Sequence, residues 1–136
     1  LAGAAHAERR GRVVGGPSVS RRIALAAEIG LRFSGDADGA MRELEAVVGN
    51  GVAMAEAVPT AIGLVLASAF SPWRAITAAV NGGNDSDTIA LFAGAVAAAY
   101  GTDDVPPEII AEVEAVNRLD LDAVAAGLAG VAERRT

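Results

Sequence analysis

The two segments at 61–70 and 88–100 constrain the fold most, because each would be apolar on nearly every side of a helix. A helix without a polar face is buried. No part of the chain shows the alternation of apolar and polar residues, bounded by turn signals, that is typical of strands. The segment 88–100 is also rich in Ala and Gly, which allow neighbouring helices to approach closely. The sequence therefore predicts an all-α bundle with 88–100 as its central helix.

Capping residues and helix breakers divide the chain into about seven helices in total. The predicted helix starts are Ser18 or Ser20, Asp36, Ala53, Ser71, Thr88, Pro106, and Asp120 or Asp122. The Gly-Asn-Gly sequence at 49–51 is interpreted as a helix break. Residues 1–17 are polar and Arg-rich, so they are predicted to be a tail or linker, and the helical domain is predicted to cover 18–136.

Composition and charge exclude several classes of function. The chain is 52% hydrophobic with a net charge of −6, which argues against disorder and against general binding to nucleic acid or anionic membranes. It has no Cys, and its single His, His6, lies in the polar N-terminal stretch, so thiolate chemistry is excluded and a Ser-His-Asp triad is not expected. No signal peptide is evident, and neither apolar segment is long enough to span a bilayer. A cytoplasmic protein is therefore expected.

The sequence NGGNDSDT at 81–88 places Asp85, Ser86, Asp87 and Thr88 directly before the second apolar segment. Such residues are favoured at helix N-termini, where their side chains accept backbone N–H groups and carboxylates offset the helix dipole. A second interpretation is a metal site, because two carboxylates beside an apolar helix need compensation and Asp-x-Asp-Thr offers the hard oxygen ligands that Mg²⁺ or Ca²⁺ prefers. Local sequence leaves both interpretations open.

An EF-hand is excluded as the form of such a metal site. Counted from Asp85, the sixth position is Ala90 rather than Gly and the twelfth is Val96 rather than Glu. Three oxygen donors also do not fill the octahedral shell of Mg²⁺. The other ligands must then come from water, from a bound ligand or from residues outside this chain.

The segment from Val58 to Gly101 resembles the C-terminal half of the ADP-ribosylglycohydrolase family. That family has Val-Pro at an apolar helix, then Ala-Val-Asn, a Gly-rich turn, Asp-Thr-Asp-Thr and a second apolar helix that ends in Gly. The chain matches at Val58-Pro59, Ala79-Val80-Asn81, Gly83, Asp85, Asp87, Thr88, Gly94 and Gly101. It departs mildly at Asn84, where Gly is commoner, and at Ser86, where Thr is commoner.

The resemblance implies an orthogonal all-α fold with a binuclear Mg²⁺ centre, or Mn²⁺ in its place, that hydrolyses ADP-ribosyl glycosidic bonds. The substrate would carry ADP-ribose on a protein side chain or on a small conjugate. Asp85, Asp87 and Thr88 match the family's metal ligands from this half. The weaker candidates, for substrate binding or for support of the ligands, are Asn81, Gly82, Gly83 and Glu56.

The family's Thr-Asp-Asp motif and its catalytic acidic residue belong to an N-terminal half that does not occur in this sequence. Thr102-Asp103-Asp104 has the same letters, but it follows the apolar helix and is predicted to be a capping turn before Pro106. Because that half does not occur here, and in agreement with a start at Leu1 rather than Met, we expect half of an enzyme, inactive alone and completed by the N-terminal half or by a second chain. The alternatives are a non-catalytic structural or interaction module and a relative that acts on another glycosidic substrate.

Overall fold

The computed structural model describes residues 2–7, 10, 15–101 and 103–134, and these residues contain no β-strand. Their helices are α1 (Ala2–Ala7), α2 (Val19–Arg32), α3 (Ala37–Val47), α4 (Met54–Ala67), α5 (Pro72–Asn81), α6 (Ser86–Tyr100), α7 (Pro107–Asn117) and α8 (Leu121–Glu133). The predicted all-α class is confirmed. Helices α2 to α8 correspond to those predicted, and α1 lies within the segment predicted to be a tail.

Helix α4 contacts α2, α3, α5 and α6, and is therefore the central helix of the compact unit Leu1–Asp104. It runs through Pro59 without a restart. Helix α2 approaches it closely where Gly30 meets Gly63, since a Cβ built on Gly63 would lie 2.9 Å from the Ala26 carbonyl oxygen. The largest fully buried side chains around α4 include Leu44, Val48, Leu64 and Ile89.

The prediction that 88–100 forms the central helix is wrong. Helix α6 packs chiefly on α4 and α5, and a Cβ on Gly94 would lie 2.7 Å from Ile76, so the small residues do allow close packing on that side. The opposite side of α6 is open at Leu91, which is 68% exposed, and Tyr100 at the C-terminal end of the helix is 80% exposed. An all-round apolar sequence therefore does not guarantee burial on every side within this chain.

The compact unit Val105–Thr136 contains α7 and α8, and neither helix buries a residue. The exposed large apolar side chains on these two helices are Val113, Val116, Leu121, Val124, Leu128 and Val131. None of the helices in the described ranges combines the length and hydropathy that crossing a bilayer requires.

Candidate functional site

The loop between α5 and α6, residues Gly82–Asp85, is called here the 82–85 loop. Helix α5 ends at Asn81, and both Gly83 (φ 68°) and Asn84 (φ 55°) adopt left-handed backbone conformations. Gly adopts this conformation without strain and Asn tolerates it better than most residues. Helix α6 then starts at Ser86, two residues earlier than predicted, so Asp87 and Thr88 lie in its first turn.

Asp85 occupies the N-cap position of α6, yet its side chain accepts no backbone N–H group of the helix. Its Oδ1 atom instead accepts a hydrogen bond from the Thr88 hydroxyl, 3.0 Å away. At the other helices preceded by Ser or Asp, the side chain does accept a first-turn N–H group: Ser18, Asp36, Ser71 and Asp120. The structure therefore does not support the interpretation of Asp85 as an ordinary helix cap.

The three predicted ligands thus lie together on one turn. Asp85 and Thr88 are half-buried and Asp87 is exposed. Within the part of the chain that the structure describes, Asp87 makes no hydrogen bond or ion pair. In the same ranges no three His, Cys, Asp or Glu side chains gather as a metal cluster would. The turn offers two carboxylates and one hydroxyl, which is an incomplete set of donors for a divalent cation.

Asn50 connects the 82–85 loop to the Gly-Asn-Gly turn. Its side chain is almost fully enclosed, with 5% of the residue exposed. The Asn50 amide donates to the Gly82 carbonyl at 3.1 Å and its Oδ1 accepts from the Asn84 amide at 3.1 Å. The Asn50 backbone carbonyl accepts the Asp85 N–H at 3.2 Å. A single residue therefore contacts the loop at three points.

The turn that carries Asn50, residues Gly49–Ala53, is itself tied to α4. The Thr60 hydroxyl donates to the Gly49 carbonyl at 2.7 Å, and the Glu56 carboxylate accepts the Gly51 N–H at 2.9 Å. Arg22 lies 3.9 Å from that carboxylate. Glu56 was predicted as a supporting residue for the metal ligands. It holds the Gly49–Ala53 turn rather than the 82–85 loop.

The remaining weak candidates surround the same loop. Asn81 is exposed, and together with Gly82 it lines a groove of about 240 Å³ whose other side is formed by Met41, Arg42 and Glu45. A Cβ on Gly82 would lie 2.5 Å from the Met41 Cε atom, so a side chain there would collide with α3. Gly83 has open space around it, and its left-handed backbone is what favours glycine.

Contrary to the prediction of a capping turn before Pro106, neither Asp103 nor Asp104 caps the helix that follows. Thr102 lies outside the described residues. Asp104 accepts hydrogen bonds from the Ser71 hydroxyl and from the Trp73 N–H at the start of α5. These hydrogen bonds, that of Ser71 foremost, lower the pKa of the Asp104 carboxyl. Asp104 therefore accepts a first-turn N–H group of α5. Helix α7 starts after Pro106 without a side-chain cap.

Sequence reasoning missed Asn50, Thr60 and Arg22. The Gly-Asn-Gly sequence signalled only a break between helices. An Asn between two Gly residues is expected in an exposed turn, and nothing local indicates that it reaches a loop more than thirty positions away. The signal that could have raised attention is a polar turn directly before a strongly apolar helix, where burial forces polar side chains to find partners.

An all-α unit that presents Asp-x-Asp-Thr at the start of an apolar helix defines a helical protein with oxygen donors gathered on one helix turn. The chain matches the profile of the ADP-ribosylglycohydrolase family over residues 2–136. It belongs to that family, whose members are glycohydrolase-like enzymes.

Two curated relatives are similar to the chain. An uncharacterized protein YegU of Escherichia coli is 38% identical over 120 residues, which is 85% of this chain and 36% of that protein. The ADP-ribosylhydrolase ARH3 of Homo sapiens is 44% identical over 75 residues, which is 47% of this chain and 21% of that protein. The matched part of the chain thus spans about a third of one relative and a fifth of the other. No solved structure matches the chain significantly.

Proposed function

We propose that this chain supplies one half of a divalent-metal centre in an enzyme that hydrolyses ADP-ribosyl glycosidic bonds. The observation that carries the proposal is the carboxylate of Asp85, which stands at a helix N-terminus without capping it. Family membership and the similarity to a protein named as an ADP-ribosylhydrolase supply the reaction class.

The donor set fits Mg²⁺ or Mn²⁺ as part of a site. Asp85, Asp87 and Thr88 provide hard oxygen atoms, and Asp87 has no competing partner within the described ranges. Further ligands must come from water, substrate or another part of the family domain.

Five residues of the turn and the 82–85 loop have definable parts in the proposed site. The carboxylates of Asp85 and Asp87 would bind the ion, and the Thr88 hydroxyl, which here donates to Asp85, fixes the position of that carboxylate. The absence of a side chain at Gly82 lets the loop pack against Met41, and Gly83 adopts the left-handed backbone of the loop. When bound, the metal would orient the substrate ribose and polarise the bond to be broken.

The rest of the active enzyme would come from the remaining part of the family domain, as the same polypeptide or as a second chain. Exposed apolar side chains on several helices are consistent with such a partner, and the largest exposed fractions include those of Leu31, Leu91, Val116 and Leu128. A cytoplasmic location remains part of this proposal. The catalytic acid or base is assigned to the other part.

The competing function is a non-catalytic helical module. The absence of a three-residue cluster of metal ligands among the described residues favours it, as do the open apolar faces of α7 and α8. The two functions differ in metal dependence, since a module that only packs against a partner needs no ion.

A thermal-shift experiment with Mg²⁺ separates them. An ion that binds only the folded state raises the melting temperature by mass action. We expect a rise for the wild-type chain, no rise for Asp85→Ala, and an undiminished rise for the matched variant Asp36→Ala. A rise that survives in Asp85→Ala would refute the site. Hydrolysis of an ADP-ribosylated peptide, assayed on the chain completed by the remaining family segment, should then be lost in the same variant.

A further inference from the structure

The side chain of Asn50 combines two properties that do not usually occur together. The sequence predicts a turn residue at this position, and the structure encloses the side chain. An enclosed amide is stabilised only when its hydrogen bonds are satisfied. Asn50 satisfies them entirely on the 82–85 loop, at Gly82 and Asn84. Its position therefore determines where that loop lies.

The conformation of the loop in turn determines what Asp85 can reach. The four residues that cap their helices have ψ angles of 122° at Ser18, 77° at Asp36, 114° at Ser71 and 93° at Asp120. Asp85 has a ψ angle of 46°. The backbone at Asp85 is thus less extended than at any of the four, and its N–H is held by the Asn50 carbonyl.

We propose that Asn50 is a positioning residue that keeps the Asp85 carboxylate off the N–H groups of α6 and so leaves it available as a metal ligand. This inference rests on the proposed function. Without the two side-chain hydrogen bonds from Asn50, the loop can relax toward the extended N-cap conformation, and Asp85 would then accept an N–H group as Asp36 does. A capping carboxylate would have to give up that hydrogen bond before it could bind an ion.

The Asn84 amide strengthens the same arrangement from the loop side. Its backbone is left-handed at φ 55°, and its side chain donates to Asn50 at 3.1 Å. Asn84→Gly removes this hydrogen bond and keeps the left-handed backbone without strain. The variant therefore tests the contact on an exposed residue, where loss of the fold is not expected.

Thr60→Val provides the matched control. Thr60 is buried, and its hydroxyl holds the same Gly49–Ala53 turn by a hydrogen bond to the Gly49 carbonyl rather than to the 82–85 loop. Both Asn50→Ala and Thr60→Val remove a buried polar contact of that turn. Only Asn50→Ala removes side-chain hydrogen bonds from that turn to the 82–85 loop, and both variants keep the backbone hydrogen bond from the Asp85 N–H to the carbonyl of residue 50.

The first readout needs no metal. Backbone order parameters from ¹⁵N relaxation should fall over residues 83–88 in Asn50→Ala, from about 0.85 toward 0.6, and stay unchanged there in Thr60→Val. Asn84→Gly should give a smaller fall in the same direction. Unchanged order in Asn50→Ala, or an equal fall in Thr60→Val, would overturn the proposal.

The second readout is Mn²⁺ affinity, followed by electron paramagnetic resonance. Outer-shell contacts typically contribute about 10–100-fold to metal affinity, so Asn50→Ala should bind at least about tenfold more weakly than Thr60→Val. Equal affinities would overturn the positioning role even if the loop loosens. Failure of the chain to bind Mn²⁺ when completed by the remaining family segment, or wild-type binding by Asp85→Ala, would instead refute the proposed function, and the relaxation data would still show whether Asn50 holds the 82–85 loop.

Discussion

Helices α3 and α6 begin with the same spacing of carboxylates and use them differently. Asp36 and Asp38 open α3, and Asp85 and Asp87 open α6, in each case at the residue before the helix and at its second residue. Asp36 accepts the Gly39 N–H at 2.8 Å, whereas Asp85 accepts no N–H group of its helix. Two carboxylates at a helix start therefore do not by themselves determine whether they cap the helix or remain available to a ligand.

The surroundings of the two helix starts explain the difference. In α3 the Asp36 carboxylate lies in the space that a Cβ at Gly39 would occupy, so the absence of a side chain there allows the contact. In α6 the corresponding residue is Thr88, whose hydroxyl binds the Asp85 carboxylate. The Asp120 cap functions with Ala123 in that position, so a Cβ alone does not prevent capping. The decisive factor is the backbone before α6, which Asn50 holds.

The largest expected effect concerns metal affinity. Asp85→Ala should weaken Mn²⁺ binding by more than about 100-fold, since even outer-shell contacts contribute about 10–100-fold. Asp36→Ala should leave the affinity unchanged, because its carboxylate is engaged by Gly39. Electron paramagnetic resonance titration of both variants measures the contrast, and equal losses would show that the two helix starts are equivalent.

The second carboxylate of each helix start, Asp87 in α6 and Asp38 in α3, provides a further contrast. Asp87→Asn should weaken Mn²⁺ binding by about tenfold or more, because a ligand contributes at least as much as an outer-shell residue. The matched variant Asp38→Asn removes the same first-turn charge from α3 and should not change the affinity. Isothermal titration calorimetry can compare them, and a loss of affinity in Asp38→Asn would point to a general effect of charge.

Stability without metal should show the reverse order. Asp36→Ala removes a helix cap and should lower the free energy of unfolding by about 1 kcal/mol. Asp85→Ala removes no capping hydrogen bond, and we expect a loss below about 0.5 kcal/mol. Urea unfolding in the presence of a chelator gives both values. A larger loss for Asp85→Ala would mean that its carboxylate does cap α6 in solution.

The smallest expected effect concerns α5, whose N-terminus is bound by the side chains of both Ser71 and Asp104. The Ser71 hydroxyl and the Trp73 N–H lower the pKa of Asp104, so its contribution to stability is complete above the ordinary carboxyl pKa of about 3.9 and is lost as the pH falls through the lowered value. Ser71→Ala removes the main cause, and the pKa of Asp104 should rise toward that of a free carboxyl. Carboxyl ¹³C shifts followed against pH measure this, and an unchanged pKa in the variant would contradict it.

Much of the fold could be predicted from the sequence because helix starts and apolar faces are local properties. Asp36 and Ser71 were predicted starts, Ser18 and Asp120 were each one of two predicted alternatives, and all four cap their helices. The central position of α4 could not be predicted, because α4 and α6 are both apolar on all sides and only packing shows which one is enclosed. The motif Asp85-x-Asp87-Thr88 was visible, whereas its long-range support from Asn50 was not.

The measurement that tests the central claim most directly is a crystal structure of the chain grown with Mn²⁺, with anomalous diffraction data. We predict an anomalous peak at the carboxylate oxygen atoms of Asp85 and Asp87, and no hydrogen bond from an N–H group of α6 to Asp85. A structure in which Asp85 accepts the Thr88 N–H, as Asp36 accepts that of Gly39, with no peak at either carboxylate, would contradict the account.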